Sequence, residues 1–331
     1  MLLGALRRLT SGEGDPVVEL QTNFGGGKTH SLLALYHLFS QASAPDLVGV
    51  EPLLQEVGLV ESPPARRAVL VGHALSPARV DRKPDGCEVH TLWGELAWQL
   101  LGKEGYEMIA EEDRRGVSPG SDLLRQLFAA ASPALILIDE WVVFVRQLYG
   151  KEGLPAGSFE GNLSFAQNLT EAAKASPRTL VVATIPAAEN EVGGEGGMEA
   201  VSHLKSIFGR IESPWRPADR EEGFEIVRRR LFDEIPAHLY ATRDATASAF
   251  SDYYRSQRHE FPGECSEAGY EQRIKNCYPI HPELFDRLFS DWSSIPHTWR
   301  AAPDGRRRTR ALDPAGFALA YHARQHPPRR P

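Results

Sequence analysis

Apolar residues follow two rhythms along this chain: short runs, and longer stretches at helical spacing. Val17-Val18-Glu19-Leu20, Ala68-Val69-Leu70-Val71, Ala134-Leu135-Ile136-Leu137-Ile138 and Thr179-Leu180-Val181-Val182-Ala183 are of the first kind and predict buried strands. Lys28–Phe39 is of the second kind, with Leu32, Leu35, Tyr36 and Phe39 on one face of a predicted helix. Helices are also predicted near Leu92–Leu101, Ser121–Ala130, Trp141–Tyr149 and Phe159–Lys174; Ser118-Pro119 and Ser121 supply start signals for the second of these. Pro45–Arg67 reads as a helical excursion stopped near Pro63-Pro64. Strands alternating with helices predict an α/β fold, a parallel sheet with helices on both faces.

The rhythm changes after Pro217. No convincing strand remains, and Phe224–Phe232, Asp244–Tyr254 and Pro282–Trp292 read as helices. The expected organisation is an α/β core over 1–217, a helical domain over 218–296 and a separate tail over 297–331. The length, 331 residues, allows about two domains. With 42% hydrophobic and 24% charged residues, the composition excludes a disordered chain. No apolar run reaches the roughly 18 residues of a membrane span, and the apolar part of the N-terminus is too short for a secretory signal. The expected location is the cytoplasm. Cys87, Cys265 and Cys277 fit neither a disulfide framework nor a zinc pattern, and read as buried or free thiols.

The candidate chemistry lies at the ends of the strands. Between the first strand and the first helix stands Thr22-Asn23-Phe24-Gly25-Gly26-Gly27-Lys28-Thr29. A phosphate loop needs a Gly-rich turn with inward N–H groups, then Gly-Lys-Thr opening a helix. Lys28 would reach the β- and γ-phosphates of a nucleotide, and the Thr29 hydroxyl would ligate Mg²⁺. Thr22 stands where the usual pattern has Gly, so the strand–loop–helix context carries the assignment.

The run ending in Asp139-Glu140 places two carboxylates at the carboxyl edge of the sheet, where open α/β folds bind ligands. Asp139 would hold the Mg²⁺ through its water shell, and Glu140 would orient and deprotonate an attacking water. Alone, an Asp-Glu pair after a strand is equally a helix start. Thr184 follows the next strand; it reads either as a γ-phosphate sensor or as a hydroxyl capping a strand end. Arg210 ends the α/β part, where it could reach a neighbouring subunit's γ-phosphate or form a surface ion pair; Arg216 reads as an ion pair.

Other features read as structure. His281, near Glu283, lacks partner ligands for a metal and suits capping or packing. Trp93, Trp98 and Trp141 fall at core positions of helices. Gly193-Gly194-Glu195-Gly196-Gly197 reads as a flexible loop.

Several of these segments together resemble a bacterial family. Glu19 to Ser31, with His30 after the Lys28-Thr29 pair, resembles the phosphate loop of the large ATPases called domain of unknown function 499. Thr91-Leu92-Trp93-Gly94-Glu95-Leu96-Ala97, Leu137-Ile138-Asp139-Glu140-Trp141 and Tyr278-Pro279-Ile280-His281-Pro282-Glu283-Leu284 resemble it too, so the likeness covers about residues 1–296. The resemblance implies an AAA-type P-loop NTPase core followed by a helical lid. It makes Thr22 the family's own form of the loop, Thr22 to His30 a nucleotide cradle, and Arg210 the trans-acting arginine. It implies ATP and Mg²⁺ as cofactors. It also implies a homo-oligomer, or DNA methylase and helicase partners through which DNA is contacted, in a DNA-modification or phage-defence system.

Charge sets the tail apart. The chain is −7 overall, from 37 basic and 44 acidic residues. Residues 297–331 hold eight Arg against two Asp, a net +6, and leave −13 in the rest. Codons permitted for Trp299 to Gly305, read one base later, spell Gly-Val-Leu-Arg-Leu-Met, a segment the family resembles at this point. The tail from about His297 is therefore expected to be an out-of-frame translation that truncates a longer ATPase. The competing reading is a basic Arg306-Arg307-Arg308 patch for nucleic acid. The expected function is an ATP-hydrolysing module. The alternatives are a nucleotide-binding scaffold without turnover, which truncation would produce, and a P-loop kinase, which lacks an evident acceptor lid.

Overall fold

The computed structural model describes residues 1–22, 27–41, 47–186, 193–209, 228–229 and 231–293. By its described residues the chain divides into two compact units, one within residues 1–209 and the other within residues 228–293.

The first unit is built on four parallel strands: β1 (Val17–Thr22), β2 (Arg66–Val71), β5 (Ala134–Asp139) and β6 (Thr179–Pro186). Their order across the sheet is β1-β6-β5-β2, so the last strand in sequence sits between the first and the third. The register pairs Leu20 with Thr184, Ile138 with Ala183 and Val71 with Asp139. A short antiparallel hairpin, β3 (Asp81–Arg82) and β4 (Glu88–Val89), follows β2.

Period-two alternation sends successive strand side chains into two cores. One face gives Ala68, Leu70, Ile136, Ile138, Val181 and Ala183, packed with the apolar sides of α4 (Leu92–Arg115), α5 (Ser121–Ala131), α6 (Trp141–Val145), α7 (Phe159–Ala175) and α8 (Glu195–Phe208). The other gives Leu20, Val69, Leu135, Leu137, Leu180 and Val182, packed with α1 (Leu2–Thr10), α2 (Lys28–Leu38) and α3 (Glu51–Glu56). Every residue of β5 is buried, which explains why its sequence is an unbroken apolar run.

Two polar devices complete this unit. The Arg8 guanidinium, buried on α1, donates to the carbonyls of Thr179, Ala173, Ser176 and Gly12 at 2.8–3.0 Å, tying α1 to the start of β6 and the end of α7. Gln99 on α4 pairs with the edge strand β2, accepting from the Val69 N–H at 2.6 Å and donating to its carbonyl at 2.9 Å. That amide occupies a ladder position a further strand would take.

Several expectations shift. Gly193–Gly197 is not all loop: α8 begins at Glu195, and a Cβ on Gly196 would stand 2.5 Å from that of Tyr149, so this glycine lets the helix approach closely. Of Pro45–Arg67, among the described residues only Glu51–Glu56 is helical, and Arg66-Arg67 already belong to β2. The helix from Trp141 ends at Val145, and Arg146–Leu148 continues as a 3-10 turn. α4 runs past the predicted Leu101 through a break at Gly102, φ 64°. Trp93 and Trp141 are fully buried, whereas Trp98 is half-buried, its indole N–H bonded to Asp85 at 2.7 Å.

The described part of the second unit is helical, with α9 (Tyr240–Ser256), α10 (Tyr270–Cys277) and α11 (Pro282–Ser293) and no strand among the described residues. Its core gathers Ala247, Tyr254, Cys265, Tyr270 and Ile274. His281 Nδ1 accepts from the Glu283 N–H at 3.2 Å, capping α11. That acceptor role places the ring proton on Nε2, which faces the Tyr254 hydroxyl at 2.8 Å. Cys87, Cys265 and Cys277 are buried and form no disulfide. The helix expected over Phe224–Phe232 falls largely outside the described residues, as does the tail from His297.

Candidate functional site

Because the four strands are parallel, their carboxyl ends converge on one edge. Thr22 closes β1, and Gly27 caps α2 with φ 79°, a left-handed conformation glycine adopts without penalty. Lys28 and Thr29 open that helix, and His30 is exposed on its first turn. The Gly27 carbonyl accepts from the Ser31 N–H at 2.9 Å and from its hydroxyl at 3.0 Å, which fixes the turn.

Asp139 gathers the edge together. One carboxylate oxygen accepts from the Thr29 hydroxyl at 3.0 Å and the other from the Thr184 hydroxyl at 2.8 Å. Asp139 and Thr184 are both buried. The Thr184 oxygen in turn accepts from the Glu140 N–H at 2.9 Å. Thr29, Asp139, Thr184 and Glu140 thus form one hydrogen-bonded chain linking α2, β5 and β6. The capping role open to Thr184 and its place beside the acidic pair are therefore the same geometry.

Glu140 takes a left-handed backbone, φ 52° and ψ 40°, an arrangement that costs a non-glycine residue about 1–3 kcal/mol. Its carboxylate, about half exposed, meets His73 Nδ1 at 2.8 Å. Gly72 makes room: its N–H bonds the Asp139 carbonyl at 2.8 Å, and a Cβ there would lie 2.0 Å from the Glu140 carbonyl oxygen. Sequence reasoning missed Gly72-His73. The available signal was position, a histidine two residues beyond a strand that ends at the same edge.

The predicted residues Asn23, Phe24, Gly25, Gly26 and Arg210 lie outside the described residues. The residues brought together are Thr29, Asp139, Glu140 and Thr184. Their donor set is hard oxygen, two hydroxyls and two carboxylates, the chemistry magnesium prefers. Among the described residues no group of three or more His, Cys, Asp or Glu is placed to hold a metal ion.

Fold and site define an α/β protein with a polar cluster at the carboxyl edge of a four-stranded parallel sheet. The family model of the DUF499 N-terminal domain matches residues 1–213, and the chain belongs to that family. Among curated proteins and among solved structures, none matches. Among the described residues, no helix is long and apolar enough to cross a membrane.

Proposed function

We propose that the chain is an AAA-type P-loop ATPase module with a helical lid, binding ATP with Mg²⁺ and hydrolysing its β–γ bond. The observation that carries this reading is the hydrogen-bonded chain Thr29–Asp139–Thr184–Glu140, at the edge where β6 stands between β1 and β5. That order supports the additional-strand class of P-loop enzymes, in which a polar residue on the inserted strand senses the γ-phosphate. Thr184 holds that place.

In this reading, Thr22 to His30 cradle the phosphates and Lys28 pairs with their β- and γ-oxygens. Thr29 and Asp139 would hold Mg²⁺, which supplies charge neutralisation on the phosphate oxygens when bound. Glu140 accepts a proton from water as the water oxygen attacks the γ-phosphorus. The bond to the β-bridging oxygen breaks, leaving ADP and phosphate. Arg210 acts on a neighbouring subunit's nucleotide. The cycle would drive or regulate a DNA-modification or phage-defence partner in the cytoplasm, through a homo-oligomer or a methylase or helicase subunit.

One observation favours a second reading, a nucleotide-binding scaffold without turnover: the Glu140 carboxylate is engaged by His73. ATP binding and steady-state hydrolysis by the full chain, Lys28→Ala and Glu140→Gln separate the two. The ATPase reading expects Lys28→Ala to weaken ATP binding by about tenfold or more. It expects Glu140→Gln to keep binding while losing about 10²–10⁴ in rate. Binding without turnover in the unmodified chain supports the scaffold, and no ATP binding defeats both.

A further inference from the structure

The second unit contains a cavity of about 360 Å³, close to the lower size of small-ligand pockets. Among the described residues that line it, Arg228, Arg229, Arg243 and Lys275 are basic and Glu234 alone is acidic. This reverses the acidic balance of the chain up to residue 296. Two of the cations are held in place. The Arg243 guanidinium lies 4.8 Å from the centre of the Tyr240 ring, itself a wall of the cavity, and bonds Asp244 at 2.7 Å. Lys275 is fixed by Glu271 at 2.8 Å, and Ser248 steadies that carboxylate at 2.9 Å.

We propose that this cavity is a binding site for a phosphate-bearing ligand of nucleotide size. Arginine forks match phosphate oxygens in paired hydrogen bonds, and a lysine adds a compact charge. A tyrosine beside a guanidinium offers a flat surface to a base or sugar. A space of this size admits one nucleotide unit and not a duplex. The ligand is either a free nucleotide or one unit of a single strand, since both present the same phosphate chemistry. The site uses none of the residues of the proposed ATPase centre.

The test uses the full chain carrying Lys28→Ala, so that the proposed ATP site contributes little. Tripolyphosphate binding is followed by calorimetry, and binding of a short fluorescent oligothymidylate by anisotropy. The proposal expects at least one probe to bind. It expects Arg243→Gln and Lys275→Gln each to weaken that binding by about tenfold, and Glu234→Gln to strengthen it. The strengthening cannot come from a misfolded variant. Tripolyphosphate binding alone assigns a free ligand, and oligothymidylate binding that far exceeds it assigns a strand. Failure of both probes to bind overturns the proposal, as does binding indifferent to all three substitutions. Failure of the ATPase reading registers separately, as ATP binding by the unmodified chain that Lys28→Ala leaves unchanged.

Discussion

At the residue scale, Asp139 is the junction of the site. Its two oxygens are shared between the Thr29 and Thr184 hydroxyls, so each threonine is oriented by the same buried carboxylate. Thr184→Val keeps the shape and removes both the donor to Asp139 and the acceptor for the Glu140 N–H. Turnover by this variant is expected to fall by about tenfold or more with ATP affinity within about twofold, since a lost positioning bond of roughly 1.4 kcal/mol is a factor of ten in rate. A steady-state assay beside an equilibrium binding assay checks it. His73→Ala carries the opposite sign. If the 2.8 Å contact restrains Glu140, releasing it raises turnover. A fall of more than about threefold would instead make His73 a residue that orients Glu140 for attack. Thr29 and the Asp139-Glu140 pair, which the structure brings together, were legible because their residue types stand in recognisable sequence settings. His73 was not, because its role depends on two strands ending side by side.

At the element scale, the four principal strands were legible, since a strand buried on both faces reads as a near-continuous apolar run. Helix α1 was not anticipated. Its buried face includes Arg8, and a charged residue masks an amphipathic stripe. The structure resolves the conflict by giving the guanidinium four carbonyl acceptors. Arg8→Ala is therefore expected to destabilise the first unit by about 3 kcal/mol or more, as buried carbonyls lose their donors, and urea denaturation would register it. The hairpin β3–β4 was missed because strands of two residues carry no periodic signal. It is held by Lys83, which pairs with Glu95 at 2.6 Å and with Asp81 at 2.7 Å, and by a small buried cluster of Cys87, Val89 and Tyr106. In the second unit, burial holds the His281 imidazole below its usual 6.5, because the charged ring is poorly solvated there. The unfolded chain then binds the extra proton more readily. The contribution of this residue is fully present above pH 6.5 and is lost as pH falls from there toward the depressed native value. Thermal melts of the second unit should weaken across that window. His281→Asn, which retains a side-chain acceptor for the Glu283 N–H, should flatten the dependence.

At the scale of the whole molecule, the chain combines an α/β unit whose sheet edge gathers Thr29, Asp139, Glu140 and Thr184 with a helical unit that has its own small core. The strand order could not be read from the sequence. Alternating strands and helices dictate a parallel sheet, but the placing of β6 between β1 and β5 is decided by long-range packing. That placing brings Thr184 to Asp139, so the assembly of the site is a property of topology and not of any one motif. The central claim is that this edge binds Mg-ATP. Its most direct test is ATP affinity of the full chain with and without Mg²⁺, beside Asp139→Asn. The account predicts that Mg²⁺ tightens ATP binding by the unmodified chain, and that Asp139→Asn abolishes the tightening. ATP binding that ignores Mg²⁺, or that Asp139→Asn leaves fully Mg-dependent, would contradict it.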